Sequence, residues 1–137
     1  NDTSTNNAFI KFLINNAGTG SGQINANGAG AAAFGSYSDQ RLKENIVDLP
    51  SQLENVCNLR PVEFDYIESE GGGHQIGFVA QEMQKVYPDV VGERGDGMLT
   101  VTGFSKTEAR LIKALQEQQA LITDMQAKLK AANIAGF

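Results

Sequence analysis

The residues best suited to chemistry in this chain are Ser38 and Lys43, which lie five positions apart in the string SDQRLKENI. A serine hydroxyl becomes a nucleophile when a neighbouring base takes its proton. A lysine can be that base once desolvation or nearby positive charge lowers its pKa, and Arg41 could supply such charge. The same spacing also fits a structural role, in which Ser38 or Asp39 caps a turn that includes residues 41–44. Spacing alone leaves both interpretations open.

The composition excludes several other functional classes. A length of 137 residues suits one modest domain with an appendage and is too short for a multidomain enzyme. Eleven Lys and Arg against sixteen Asp and Glu give a net charge of −5, and no basic cluster occurs, so nucleic acid is not expected as a partner. The apolar runs are too short for a membrane span or a signal peptide. A single cysteine and a single histidine argue against a disulfide or a zinc site, and no metal or cofactor is expected.

Residues 1–37 form the first of three parts and are rich in Gly, Ala and Asn, with only two charged residues. Residues 8–15 (AFIKFLIN) are rich in β-branched and aromatic residues and predict a strand, and a second short strand over residues 22–26 follows a turn. A two-stranded hairpin alone is marginally stable in water. We therefore expect this part to continue a longer β structure or to pair with copies of itself. The alternative is a flexible linker.

Residues 38–104 form the second part and have the composition of a small globular domain. Alternation in RPVEFDYI predicts a half-buried strand over residues 60–67, with Val62, Phe64 and Tyr66 on one face. Turn and periodicity signals predict the remaining elements. These are a short helix around Leu53, Val56 and Cys57, a strand over 74–80, a helix over 81–86, a hairpin loop over 92–97 and a last strand at Leu99 and Val101.

Residues 105–137 form the third part, and no Gly or Pro occurs between Ser105 and Asn133. This profile predicts one long helix, with Ser105 and Glu108 as a capping box. Leu, Ile and Met recur at alternating steps of four and three, the pattern of a coiled-coil seam with one polar interruption. An amphipathic helix packed on its own domain is the alternative. The predicted seam residues are Leu111, Leu115, Gln118, Ile122, Met125 and Leu129, followed by Ala132.

Four strings carry a family resemblance: SDQRLKENI, LRPVEFDY at residues 59–66, IGFVAQEMQKVYPDVV at residues 76–91, and the helix around residues 109–115. In order and spacing they resemble the C-terminal intramolecular chaperone domain of phage endosialidases, tailspikes and tail or neck fibres, a family of self-cleaving peptidases. The resemblance covers about residues 38–132.

The resemblance implies a homotrimer, joined through C-terminal helices, that helps the chain's own N-terminal fibre segment to fold. It also implies autoproteolysis between Tyr37 and Ser38, with Ser38 as nucleophile and Lys43 as base. Assembly would take place in the host cytoplasm, after which the fibre stays on the virion tail and the chaperone is released. Residues that could support the dyad are Asp39, Glu44, Asn45, His74 and Glu82.

Together these observations predict an α+β fold, in which a small mixed domain carries a long C-terminal helix that forms a trimeric coiled coil. A β-rich fibre end, similar to a triple β-helix, precedes it. Two rival functions stay open: a trimerisation module that does not cleave, and a receptor-binding fibre tip that uses loops 68–73 and 92–97. A solvent-exposed Lys43 far from Ser38 would favour the non-cleaving module.

Overall fold

The computed structural model describes residues 8–12, 22–26, 31–35 and 38–132. The chain divides into two compact units, residues 1–47 and 48–137. Short antiparallel sheets and one long C-terminal helix confirm the predicted mixed α and β class. The trimeric coiled coil, the triple β-helix and the proposed boundaries at residues 37 and 104 stay predictions.

The first unit contains a three-stranded antiparallel sheet with strands in sequence order. Ile10 lies opposite Ile24, and Ile24 lies opposite Phe34, so these apolar side chains share one face. The rings of Phe12 and Phe34 add to that face, with centroids 5.9 Å apart. The strands are β1 (Ala8–Phe12), β2 (Gly22–Ala26) and β3 (Ala32–Gly35).

The strand β3 was not predicted, because its sequence AAFG is rich in small residues of low strand propensity. It forms because its backbone pairs with β2 along four positions, from Gln23 opposite Gly35 to Ala26 opposite Ala32. β1 and β2 confirm the two predicted strands. Residues 13–15 of the first predicted strand lie outside the described residues.

The second unit contains two β hairpins, two short helices and the long helix. Val62 and Phe64 are half-buried while Glu63 and Asp65 are exposed, which confirms the predicted alternation for these four residues. The strand predicted over residues 60–67 ends at Asp65, and Tyr66, predicted on the same face as Val62 and Phe64, is 51% exposed. The strand predicted over 74–80 ends at Gly77, and Val79 is already the N-cap of a helix. The elements are α1 (Leu53–Cys57), β4 (Val62–Asp65), β5 (His74–Gly77), α2 (Ala80–Val86), β6 (Val91–Glu93), β7 (Leu99–Val101) and α3 (Phe104–Ala131). One-turn 3-10 helices lie at Glu68–Glu70 and Pro88–Val90 in this unit, and at Gln40–Leu42 in the first unit.

The helix α3 confirms the predicted long helix, but the predicted capping box is wrong. Its N-cap is Gly103, and Ser105 lies inside the first turn. Gly103 has a φ of 70°, in the left-handed region that favours glycine, and its carbonyl accepts a hydrogen bond from the Lys106 amide. The chain therefore turns into the helix at a glycine, without a side-chain cap.

The core of the second unit lies between α2 and the β6–β7 hairpin. Met83, Tyr87 and Val90 are buried there, and the Tyr87 hydroxyl donates to the buried Gln52 Oε1 at 3.0 Å. The helix α3 packs onto this core through Arg110, whose guanidinium lies 4.2 Å from the centroid of the Tyr87 ring. Half-buried side chains complete the cluster: Leu59, Phe78, Val86, Val91 and Val101.

We expect Met83→Ala to lower the free energy of unfolding by about 2–5 kcal/mol, because truncating a buried methionine leaves a cavity. Met83 is only 2% exposed, whereas Met98 is 54% exposed. Met98→Ala, the matched control, should cost less than about 1 kcal/mol. Urea unfolding at one fixed chain concentration measures both variants, and equal costs would contradict the assignment of the core.

Glu117 of α3 links the long helix to the start of α1. Its Oε2 accepts hydrogen bonds from the Ser51 hydroxyl and from the amides of Gln52 and Leu53, at 2.9, 3.1 and 3.0 Å. The N-cap residue Gln52 makes no side-chain cap of its own, so Glu117 satisfies these orphan donors instead. This carboxylate fixes the point at which the chain enters the second unit.

We expect Glu117→Gln to unfold at a lower temperature than the wild type. The difference in unfolding temperature should be larger at neutral pH than in acid. Desolvation alone would raise the pKa of Glu117, but hydrogen bonds from Leu53, Ser51 and Gln52 outweigh it, so the pKa lies below its ordinary value of 4.5. The carboxylate therefore contributes stability above about pH 4.5, and this stability is lost as the pH falls through the lower folded-state pKa. Thermal melts across pH 2–7 measure the effect. Glu108→Gln, at an exposed position of the same helix, is the control, and an equal pH dependence in both variants would contradict this role.

Candidate functional site

Ser38 and Lys43 are brought together by the one-turn 3-10 helix Gln40–Leu42. Lys43 Nζ donates a hydrogen bond to Ser38 Oγ at 2.7 Å. The turn is closed by the Leu42 amide, which donates to the Asp39 carbonyl, and by the Lys43 amide, which donates to the Gln40 carbonyl. Two residues separated by five positions are thereby placed within side-chain reach, which is the first geometric condition for a nucleophile and its base.

Asp39 binds both the backbone amide and the guanidinium of Arg41. Asp39 Oδ1 accepts from the Arg41 amide and from its Nε, both at 2.9 Å, and Oδ2 accepts from Nη2 at 2.8 Å. The side-chain and backbone hydrogen bonds from Arg41 hold the pKa of Asp39 below its ordinary value, and the nearby Lys43 charge adds a smaller effect. The positive charge of Arg41, considered above as a means of activating the lysine, is thus paired with Asp39.

Both dyad side chains are exposed in the single chain. The lysine is the donor in the observed hydrogen bond, so it would have to lose a proton before it could accept one from serine. A lysine acts as a base only in its neutral form, which desolvation favours. The 2.7 Å distance meets the geometric condition for a nucleophile and its base.

Two further candidate residues of the SDQRLKENI string are Glu44 and Asn45. Asn45 has a φ of 52°, in the left-handed region that asparagine tolerates better than most residues. Glu44 is exposed. Within residues 38–132, no hydrogen bond joins Glu44 or Asn45 to Ser38 or Lys43.

His74 and Glu82 belong to the second unit, where each has a partner. His74 Nδ1 lies 3.1 Å from Asp65 Oδ1, across the β4–β5 pair. Glu82 Oε2 accepts from Arg60 Nε at 2.9 Å, and this pairing is the main reason that the pKa of Glu82 lies below its ordinary value. Arg60 was missed by sequence reasoning. It joins two of the strings that carry the family resemblance, LRPVEFDY and IGFVAQEMQKVYPDVV, through an ion pair between residues 22 positions apart.

The predicted seam of α3 is largely exposed. Leu115 is 65% exposed, and Leu111, Gln118, Ile122 and Met125 are also exposed, while Leu129 is half-buried. Phe104, which sequence reasoning missed, lies seven residues before Leu111 and is 76% exposed. It is in register with the seam, so extending the heptad pattern by one full repeat toward the N-terminus would have found it. A single chain therefore presents an unpartnered apolar stripe along about 40 Å of helix.

Among the described residues, no three or more His, Cys, Asp or Glu side chains are grouped so that they could hold a metal ion. None of the described helices combines the length and the apolar character needed to cross a bilayer.

The model of the family "Chaperone of endosialidase" matches residues 38–92, so the match begins at the serine of the dyad. Residues 38–92 belong to the chaperone of endosialidase family. The dyad, β4, β5 and α2 lie within the matched region. The family is also described as a peptidase family, S74.

Two curated relatives are much longer proteins that contain a region similar to this chain. The chain is 33% identical over 99 residues to the long tail fiber protein Gp37 of Enterobacteria phage K3 and, over the same length, to that of Enterobacteria phage T2. The alignments cover 67% of this chain but only 8% and 7% of those proteins. The chain thus spans less than a tenth of the relatives it matches.

Proposed function

We propose that this chain is an intramolecular chaperone that trimerises, assists the folding of a phage tail fibre or tailspike, and then releases itself by cleavage between Tyr37 and Ser38. The observation that carries the proposal is the 2.7 Å contact between Lys43 Nζ and Ser38 Oγ, at the first residue of the family match. Tyr37 itself lies outside the described residues.

In the proposed reaction, Ser38 Oγ attacks the carbonyl carbon of Tyr37 through a five-membered ring. Neutral Lys43 accepts the hydroxyl proton and passes it to the Ser38 nitrogen as the peptide C–N bond breaks. The resulting ester joins Tyr37 to Ser38 Oγ, and water hydrolyses it to a Tyr37 carboxylate and a free serine hydroxyl. Because the substrate is covalently in place, proximity supplies much of the rate enhancement and each chain reacts once.

Trimerisation is the proposed trigger. The α3 stripe from Phe104 to Leu129 is exposed in the single chain, and three copies could bury it against one another. Assembly could also remove water from the exposed Lys43 and so favour its neutral form. Cleavage would then report that the fibre had assembled. The fibre would remain on the virion tail, and the released domain in the host cytoplasm.

Intact-mass spectrometry of the freshly expressed chain tests the proposal. The expected products are a 37-residue N-terminal piece and a 100-residue fragment that begins at Ser38. A trimer that stays whole would instead favour the non-cleaving trimerisation module, which accommodates the exposure of Lys43. Residues 38–137 retained on mature particles would favour the receptor-binding fibre tip.

A further inference from the structure

We propose that Asp39 is the positioning residue of the dyad, because its carboxylate caps the turn that sets the Ser38–Lys43 distance. This inference rests on the proposed self-cleavage. Asp39 touches neither Ser38 nor Lys43 by a hydrogen bond within the described residues, so its role is distinct from those of the nucleophile and the base.

The turn needs a fixed geometry because an extended chain would separate the dyad. Five residues in extended conformation span up to about 17 Å, far beyond the reach of a lysine side chain toward a serine. The 3-10 helix Gln40–Leu42 removes that separation with two backbone hydrogen bonds, at 3.1 and 3.0 Å. A helix of one turn is weakly stable by itself, since nucleation fixes several dihedrals for few hydrogen bonds.

Asp39 supplies the missing stabilisation at the start of the turn. Its backbone is extended, with φ −63° and ψ 137°, and Oδ1 accepts the Arg41 amide at 2.9 Å, as an N-cap does. The carboxylate also binds the Arg41 guanidinium with both oxygens, a bidentate and charge-assisted pairing. The cap holds residues 39 and 41 in the conformation that leaves Lys43 facing Ser38, whereas the ion pair is exposed and adds little stability to the turn.

A pair of substitutions separates capping from charge. Asparagine caps helices as well as aspartate does but carries no charge, whereas alanine lacks the acceptor. We expect Asp39→Ala to slow cleavage about fivefold or more, because the loss of a helix cap lowers the fraction of chains in which the turn is formed by about this factor. Asp39→Asn should stay within about twofold of the wild type. Asp48→Asn removes the same charge at an exposed position outside the turn and is the control.

A second measurement is independent of cleavage. In the full-length Ser38→Ala chain, which cannot cleave by this route, exchange of the Arg41 amide proton with solvent reports the cap directly. We expect protection with aspartate or asparagine at position 39 and faster exchange in Asp39→Ala.

Wild-type cleavage rates in Asp39→Ala would overturn the proposal, as would slow cleavage in Asp39→Asn equal to that of Asp39→Ala. If the wild type does not cleave, the proposed function fails, but amide exchange still decides the role of Asp39. Unchanged Arg41 protection in Asp39→Ala would then show that the carboxylate does not order the turn.

Discussion

Ser38→Ala and Lys43→Ala chains will stay whole under conditions in which the wild type splits into fragments of 37 and 100 residues. Alanine at position 38 removes the oxygen that would attack the Tyr37 carbonyl, so the acyl shift has no nucleophile. Alanine at position 43 removes the proton acceptor, and a general base contributes about 10²–10⁴ to a rate. Intact-mass time courses of the two variants and the wild type measure the effect.

Lys43→Arg tests whether lysine acts as a base or only as a hydrogen-bond donor to Ser38. Arginine keeps the positive charge and can still donate to Ser38 Oγ, but it does not lose its proton in proteins. We expect it to be slowed as strongly as Lys43→Ala. Lys85→Arg, at an exposed position of α2, makes the same change away from the dyad and should cleave normally. Normal cleavage in Lys43→Arg would exclude the base role.

We expect Leu115→Asp to turn the proposed trimer into a monomer without unfolding the second unit. Leu115 is 65% exposed in the single chain, so its replacement removes little packing there. In a trimeric seam each buried leucine contributes about 1.5–3 kcal/mol, and three carboxylates at one level would repel one another in an apolar environment. Light scattering coupled to size-exclusion chromatography measures the mass, and circular dichroism measures the retained helix.

Gln116→Asp is the matched control for the seam. It places the same charge on the next residue of α3, outside the predicted seam, and should leave the trimer intact. The proposal also predicts that Leu115→Asp, as a monomer, does not cleave although Ser38 and Lys43 are unchanged. A trimeric Leu115→Asp chain would contradict the seam, and a monomeric chain that cleaves normally would contradict assembly as the trigger.

The sequence predicted the elements that depend on local periodicity. The alternation of Val62 and Phe64 and the uninterrupted helix after Gly103 come from side-chain patterns within one segment, and both are present. Long-range pairings left no such signal. Glu117 accepts hydrogen bonds from Ser51, Gln52 and Leu53, which lie 66, 65 and 64 positions earlier in the chain. Arg60 binds Glu82, which lies 22 positions later. A charged residue on a helix looks the same in sequence whether it faces solvent or a distant helix start.

The candidate site was predicted only in part. The five-residue spacing suggested either a catalytic pair or a capped turn. In the structure Asp39 caps the turn and Lys43 reaches Ser38, so the geometry fits both interpretations. Arg41, which sequence reasoning offered as a source of positive charge near the lysine, forms an ion pair with Asp39. Spacing gives the sequence distance between charges, whereas their pairing depends on backbone turns.

The dependence of cleavage on chain concentration tests the central claim, that assembly activates the dyad. The full chain is refolded from denaturant at a series of concentrations that spans the monomer-to-trimer transition, and intact mass gives the cleaved fraction at fixed times. Activation by assembly predicts that the 100-residue fragment appears only where trimer forms and that its rate rises with concentration. Cleavage at one rate at every concentration, or none in the fully formed trimer, would contradict the claim.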